Sequence, residues 1–410
     1  MIPMQKNLSN EELTLLKSLQ YSVGDDAVVA NFTSIPAMAP FSDVIIDFLN
    51  DVSKELLKSR EAKAFPDVVT FGFWLRKASL LQLKERHLKN DENMHIGRGV
   101  AFHIAPSNVP VNYAYSLVSG LITGNANIVR IPSKDFPQVA IINNAINAVL
   151  NFHPQVRNYI ALVRYGRETK VNDLLSKICD TRIIWGGDAT IAEIRKSPLA
   201  PRAGEVTFAD RYSLAVIDSA TYLKTDNKKR IAEEFYNDTY LTDQNACTSP
   251  RIVIWIGEQI EDAKGIFWKN LHAVVIEKYT FQAIQGVNKL TSSYLAAVKV
   301  PGTKVEKHKD NLVVRVKVPE CNAELMGIKD NSGYFFEYDC KDIMELRDLC
   351  DDKRCQTIGY LGNNEIFKPL IEVGVKGIDR IVPIGRTMDF ELIWDGYDLF
   401  ERLTRTIRIY

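Results

Sequence analysis

From Gly99 onward the chain alternates short, wholly apolar runs with amphipathic stretches, and no other feature limits its fold so strongly. The runs are Val100 to Ile104, Ile128 to Ile131, Tyr159 to Val163, Arg182 to Trp185, Leu214 to Ile217 and Arg251 to Ile256. Between them lie helical patterns such as Val139 to Leu150, Glu168 to Ile178 and Lys228 to Tyr236. Strand followed by helix, repeated, predicts an α/β fold with a largely parallel sheet, and strands without a polar face predict a sheet covered on both sides. Leu312 to Val318, Tyr334 to Tyr338, Gln356 to Leu361 and Ile378 to Ile384 repeat the theme, so a second α/β domain is expected, starting between Thr207 and Ile217. The first ninety residues read as helices instead. Ser9 and Glu12 form a capping-box pattern, Ser42 opens a periodic segment through Leu56, and a third helix is predicted from Phe73 to Leu88.

Composition narrows the function. The 51 Lys+Arg residues balance 51 Asp+Glu, which argues against nucleic acid or an anionic membrane as the main partner. No apolar run approaches the length of a membrane span, and Met1 to Asn10 is too polar for a signal peptide, so a cytoplasmic enzyme is the expectation. Cys179, Cys247, Cys321, Cys340, Cys350 and Cys355 form no C-x-x-C pair, and no histidine sits beside them at ligand spacing; neither a metal site nor a disulfide framework is expected. His103, inside an apolar strand, reads as a hydrogen-bonded core residue.

Three segments stand where predicted strands end or begin. Ala105-Pro106-Ser107-Asn108-Val109-Pro110 follows the strand at Val100 to Ile104; its prolines stiffen a loop in which Asn108 either donates to a developing oxyanion or makes a local turn. Trp185-Gly186-Gly187-Asp188 precedes a helix, and the small residues either let backbone N–H groups approach a phosphate or form a plain turn capped by Asp188. Asp243-Gln244-Asn245-Ala246-Cys247-Thr248-Ser249-Pro250-Arg251 leads into a strand and carries a thiol on a polar loop, which suits a nucleophile. An unperturbed thiol is only about 3% ionised at neutral pH, so a working Cys247 needs local donors or positive potential.

Taken in order, APSNVP, GNANIVRIPS at Gly124 to Ser133, the Gly-Gly turn, DQNACTSPR and GIDRIVPIGRTMDFELIWDGYDL at Gly377 to Leu399 resemble the fatty acyl-CoA reductase (LuxC) family of the aldehyde dehydrogenase superfamily. The likeness runs from about His95 to Arg405. It implies an aldehyde dehydrogenase-like fold: a Rossmann-like cofactor domain with a helical N-terminal segment over 1–212, a catalytic domain over 213–385, and a C-terminal segment over 386–410 that returns to the cofactor domain or an interface. The cleft between the domains is then the expected ligand site.

The resemblance also implies a reaction: Cys247 attacks an acyl thioester, and the thioacyl enzyme accepts a hydride from NADPH to release an aldehyde. Asn108 and the Cys247 N–H would form the oxyanion hole, with Gly186, Gly187, Arg130 and Ser133 contacting the cofactor, Arg130 favouring a 2′-phosphate. Its implied partners are an acyl-CoA or acyl-carrier substrate, an acyl-protein synthetase and a second copy of the chain. Two departures matter. The Glu that activates hydrolytic water in the oxidising enzymes has no counterpart in Thr207-Phe208-Ala209-Asp210-Arg211, unless Glu205 substitutes; losing it suits an enzyme that reduces its acyl intermediate. The ribose-gripping Glu of Glu-x-Phe-Gly-Pro is unmatched. An aldehyde dehydrogenase working oxidatively and an inactive scaffold subunit of an acyl-transfer complex are the alternatives.

Overall fold

A computed structural model describes residues 8–89 and 92–410, so the first seven residues of the polar Met1–Asn10 stretch lie outside the described residues. The chain forms two compact units, Met1–Ala209 with Tyr397–Tyr410, and Asp210–Gly396.

Unit 1 is built on strands β1 (Gln20–Val23), β3 (Val100–Ile104), β4 (Ala126–Arg130), β5 (Ile160–Arg164), β6 (Thr181–Trp185) and β7 (Gly204–Phe208), in the sheet order β1-β5-β4-β3-β6-β7. A further strand, β2 (Met94–Gly97), pairs antiparallel with the C-terminal strand Thr404–Ile407. All ladders of the six-stranded sheet are parallel except β1 with β5. β3 and β6 are buried along their whole length, as their apolar runs predict.

The N-terminal helices depart from the sequence pattern at two points. Ser9 and Glu12 make the reciprocal capping box expected of them, with the Glu12 N–H donating to Ser9 Oγ at 3.2 Å and the Ser9 N–H to Glu12 Oε2 at 2.8 Å. Ser42 precedes the helix Asp43–Lys58 but makes no capping bond. The single helix predicted from Phe73 to Leu88 is two, Pro66–Trp74 and Lys77–Leu88. Pro66 starts the first at its N1 position, and the second restarts after the extended Arg76 because the Lys77 N–H donates to Asn50 Oδ1 at 3.1 Å, a partner 27 residues away.

His103 is wholly buried in β3 and holds a relay across the sheet. The Trp185 Nε1–H donates to Ser116 Oγ at 3.0 Å, Ser116 to His103 Nδ1 at 2.7 Å, His103 Nε2–H to Asn127 Oδ1 at 3.0 Å, and Asn127 Nδ2 to the Asn125 carbonyl at 2.7 Å. Only the Nε2–H tautomer satisfies every member. Burial pushes the imidazole down to about 4, so it is neutral here and structural.

Unit 2 carries β8 (Tyr212–Asp218), β9 (Pro250–Ile256), β10 (Lys304–Lys307), β11 (Val314–Lys317), β12 (Tyr334–Asp339), β13 (Cys355–Leu361) and β14 (Arg380–Pro383), in the order β10-β11-β12-β9-β8-β13-β14. All its ladders are parallel except β10 with β11. Alternate residues feed two cores: Leu214, Val216, Ile252 and Ile254 pack on one face, Ala215, Ile217, Val253 and Trp255 on the other. Both faces being buried, polar chemistry can enter only at the strand ends.

A methyl group at Gly120 would come within 1.8 Å of Asn127 Oδ1 and 3.0 Å of His103 Nε2. Gly120→Ala should therefore displace the relay and cost about 1–3 kcal/mol, read as a lower urea midpoint with an unchanged slope. An unaltered midpoint would show that the relay yields without penalty.

Candidate active site

In unit 1, three sequence-predicted segments leave the carboxyl ends of adjacent strands. Arg130 pairs with Ile104 in the β3–β4 ladder and Ile104 with Ile184 in β3–β6, so the strands end almost flush. From β3 the chain proceeds to β4 and β5 on one side, then crosses to β6 and β7 on the other. Such a reversal opens a crevice above the strand ends, the usual ligand position in parallel α/β sheets.

Asn108 lies beyond β3, exposed, and its amide has no hydrogen-bond partner among the described residues, so it does not make the local turn bond. Arg130, at the end of β4, gives one terminal nitrogen to the Tyr165 and Gly166 carbonyls, at 3.3 and 3.0 Å, and lies over the Tyr165 ring. Ser133 is exposed. Gly186 donates its N–H to the Phe208 carbonyl at 3.1 Å, and its Cβ would meet Thr190 at 3.2 Å. Gly187, not Asp188, is the N-cap of the short helix Asp188–Ile194; Asp188 already belongs to its first turn.

Glu205 is engaged elsewhere. It sits in β7, opposite Arg182 of β6, and both its oxygens are taken: Oε2 accepts from Arg182 at 2.6 and 2.9 Å, Oε1 from Arg195 at 2.7 Å. Arg182 is only 2% exposed and would be left a buried, unmatched cation without it.

In unit 2, Cys247 is the one of the six cysteines that is half-buried rather than wholly buried, its exposed part being backbone-side rather than a freely solvated sulfur. The other five are free thiols in the interior. The loop is held by a residue that the sequence does not mark. Gln244 is fully buried; its Nε2 donates to the Pro250 and Tyr334 carbonyls at 2.9 and 3.1 Å, and its Oε1 accepts from the Gly333 and Tyr334 N–H groups at 2.9 and 3.2 Å. The side chain thus ties the start of β9 to the start of β12. Asp243 and Gln244 both adopt positive φ, 51° and 59°, a strained state for residues with a Cβ that persists only where surroundings enforce it. Below them, Ser213 Oγ donates to the Cys247 carbonyl at 2.8 Å.

The motif from Gly377 to Leu399 meets this loop. Thr248 Oγ1 donates to Met388 Sδ at 3.1 Å, and Asp238 accepts the N–H groups of Gly385 and Thr387 at 2.6 and 3.1 Å. Ladder register explains the meeting: Ser213 pairs with Pro250, Tyr212 with Cys355, and Thr357 with Arg380. The amino-terminal ends of β9, β8, β13 and β14 therefore line one edge, bringing Cys247, Arg211, Gln356 and Arg380 to it. Burial, reinforced by the negative charge of Asp395, pushes the Cys247 thiol up to about 12; its own N–H, Arg251 and Arg211 pull the other way.

Gln244→Ala removes four hydrogen bonds to backbone groups and should destabilise the protein by about 2–4 kcal/mol, while raising amide hydrogen exchange across residues 243–249. Exchange confined to wild-type levels would show the loop holds itself.

The acyl-CoA reductase (LuxC) family model matches residues 77–269. Curated relatives include the long-chain acyl-protein thioester reductase of Photorhabdus laumondii, 24% identical over 325 residues, covering 76% of this chain and 63% of the relative. The reductase of Aliivibrio fischeri is 22% identical over 306 residues, covering 72% and 60%. The chain thus spans less than two thirds of the length of these relatives. Among solved structures, aldehyde dehydrogenase 21 of Physcomitrella patens superposes with a TM-score of 0.63 at 12% identity, over 93% of this chain and 88% of that one. Lactaldehyde dehydrogenase of Escherichia coli gives 0.62 at 13% identity, over 98% and 91%. The motifs, the matched model and the two parallel sheets agree: the chain is a sequence relative of the acyl-CoA reductase (LuxC) family, carried on an aldehyde dehydrogenase fold.

Proposed function

We propose that this chain reduces an acyl thioester, on coenzyme A or a carrier, to the aldehyde through a thioacyl intermediate on Cys247, with NADPH as the reductant. The observation that carries the reading is Cys247 itself: the one cysteine only half-buried, on a loop that Gln244 fixes at the end of a sheet. The curated relatives named acyl-protein thioester reductases support the substrate class.

The residues at the carboxyl edge of the first sheet fit an anionic dinucleotide. Arg130 keeps Nε and one terminal nitrogen free of hydrogen bonds among the described residues, Ser133 is exposed, and Gly186 and Gly187 put a turn without side chains after β6. A bound nicotinamide cofactor would supply the hydride. The chain's own work is to present the sulfur, hold charge and exclude a competing water. Cys247 adds to the thioester carbonyl and expels the carrier thiol; Asn108, whose amide is unengaged, is the donor for the oxyanion at this step and at the aldehyde-releasing one.

The reductive direction is favoured over oxidation by the state of Glu205. The alternative required it to activate water, and its two arginine partners occupy it. A thioacyl enzyme that lacks that water-activating Glu is better placed to be reduced than hydrolysed.

Oxidation of NADPH followed across acyl-CoA lengths, with NADH as control, tests the activity. Cys247→Ala should abolish both the acyl-enzyme and the aldehyde; retained turnover would sink the nucleophile assignment. Asn108→Ala should leave Cys247 acylable while lowering kcat about 10²–10³-fold, roughly 2.7–4 kcal/mol, and an unchanged rate would reduce Asn108 to a loop residue. If a labelled thioester leaves no acyl group on wild-type Cys247, the chain is a scaffold.

A further inference from the structure

One helix of unit 2 is folded with its polar side inward. In the 17-residue helix Ala283–Lys299, Lys289 is 1% exposed and its ammonium donates to the Asn311 and Leu312 carbonyls at 2.9 and 3.2 Å. Ser293 is buried too, and Gln285 Nε2 donates to Ser332 Oγ at 2.9 Å. Outward go Ile284, Val287, Leu290, Tyr294, Leu295 and Val298, which leave between 44% and 81% of their surface in solvent. At the helical angle per residue these side chains share an arc of about 140°, a continuous apolar face. A surface helix ordinarily has the opposite arrangement, and Lys289 is the only charged residue from Ala283 to Val298.

Four lysines border the C-terminal end of this face. Lys299 ends the helix, and Lys304, Lys307 and Lys309 follow in β10 and the turn after it, all exposed. β10 is the outermost strand of its sheet; Val305 stands opposite Val316 of β11 and Lys307 opposite Val314, and side chains directly opposite in a ladder share a face. Val314 and Val316 belong to the core that also takes in Ala296 of the helix, so Val305 and Lys307 emerge on the side the helix covers. The acids of the same stretch are matched, Glu306 by Arg315 and Asp310 by His272. The four ammonium groups have no partner among the described residues. The balance of 51 against 51 over the whole chain thus hides a local positive excess beside an apolar surface.

We propose that this surface docks on an anionic lipid bilayer, with the face from Ile284 to Val298 entering the boundary between headgroups and acyl chains and the lysines meeting lipid phosphates. The helix lies in the interface plane, since among the described residues no helix is long and apolar enough to cross a membrane. Apolar burial and charge act together there, each lysine near an anionic surface strengthening binding about fivefold. A second copy of the chain is a poorer occupant. Two such helices packed antiparallel set the lysines of each at the positive N-terminal end of the other, and packed parallel they set lysine against lysine. The proposal involves neither Cys247 nor the reaction assigned to it.

The test is co-sedimentation of the full chain with vesicles of phosphatidylcholine alone and of equal parts phosphatidylcholine and phosphatidylglycerol, at low ionic strength. The chain should bind the anionic vesicles and be released by salt, while binding the neutral ones far more weakly. Lys299→Gln with Lys307→Gln should weaken anionic binding about 25-fold, and Val287→Asp with Val298→Asp should abolish it. Tyr294→Trp should show a blue shift of its emission on the anionic vesicles only. Absence of wild-type binding, equal binding to both vesicles, an unshifted Tyr294→Trp emission, or full binding by either double variant overturns the proposal. All four substituted side chains are exposed; should the aspartate variant still fail to fold, the glutamine variant decides alone. A mass that doubles with concentration, is restored to one copy by Val287→Asp with Val298→Asp, and occurs without vesicle binding would give the face to a second copy and overturn the proposal.

Discussion

Burial of both faces of each parallel sheet is the constraint from which the rest follows. Strands such as β3, β6 and the centre of β9 have no solvated face, so every side chain along them is committed to packing. Chemistry is thereby driven to the loops at the strand ends, and each unit uses one edge. Unit 1 gathers Asn108, Arg130, Ser133 and the Gly-Gly turn at its carboxyl edge; unit 2 gathers Cys247 and its charged neighbours at its amino edge. The edges differ in character. The first offers exposed donors, whereas the second is a desolvated cluster in which a thiol, two carboxylates and several guanidinium groups are mutually dependent.

That dependence bears on the one cysteine of six placed at such an edge. Desolvation works against a thiolate, and a nucleophile that is always charged in such a place would be costly. Gln244 fixes the loop, so a reaction at Cys247 would not have to order it. Strain at Asp243 and Gln244 fits the same economy: backbone held in unfavourable torsions by four hydrogen bonds has nowhere to relax.

The parts legible in the sequence are those with local causes. Apolar runs announced β3, β6, β9 and β12 to within a residue or two, because full burial leaves a signature in composition alone. The edge strands β1 and β10 escaped, one bulged against β5 and the other, Lys304–Lys307, exposed throughout and without an apolar alternation. β7 escaped because Glu205 reads as a solvent or catalytic residue until Arg182, 23 positions earlier, is seen beside it. The loops of Asn108 and Cys247 were visible as polar breaks at strand ends. The roles of Gln244 and Asp395 were not, since the partners that define them, Tyr334 and Gln356, lie 90 and 39 residues away.

Unit 1 is discontinuous: its last strand, Thr404–Ile407, closes on β2 after the whole of unit 2 has been traversed. The join is well made, with Arg98 donating to the Arg402 carbonyl at 2.7 Å and Asn125 to that of Leu403 at 3.0 Å. A ribosome therefore releases the material of unit 2 in one uninterrupted stretch before it delivers Thr404–Ile407, the partner of β2 in unit 1. The nascent first unit must wait with β2 unpaired, an open strand edge of the kind that chaperones shield, while the unit synthesised second can finish folding first.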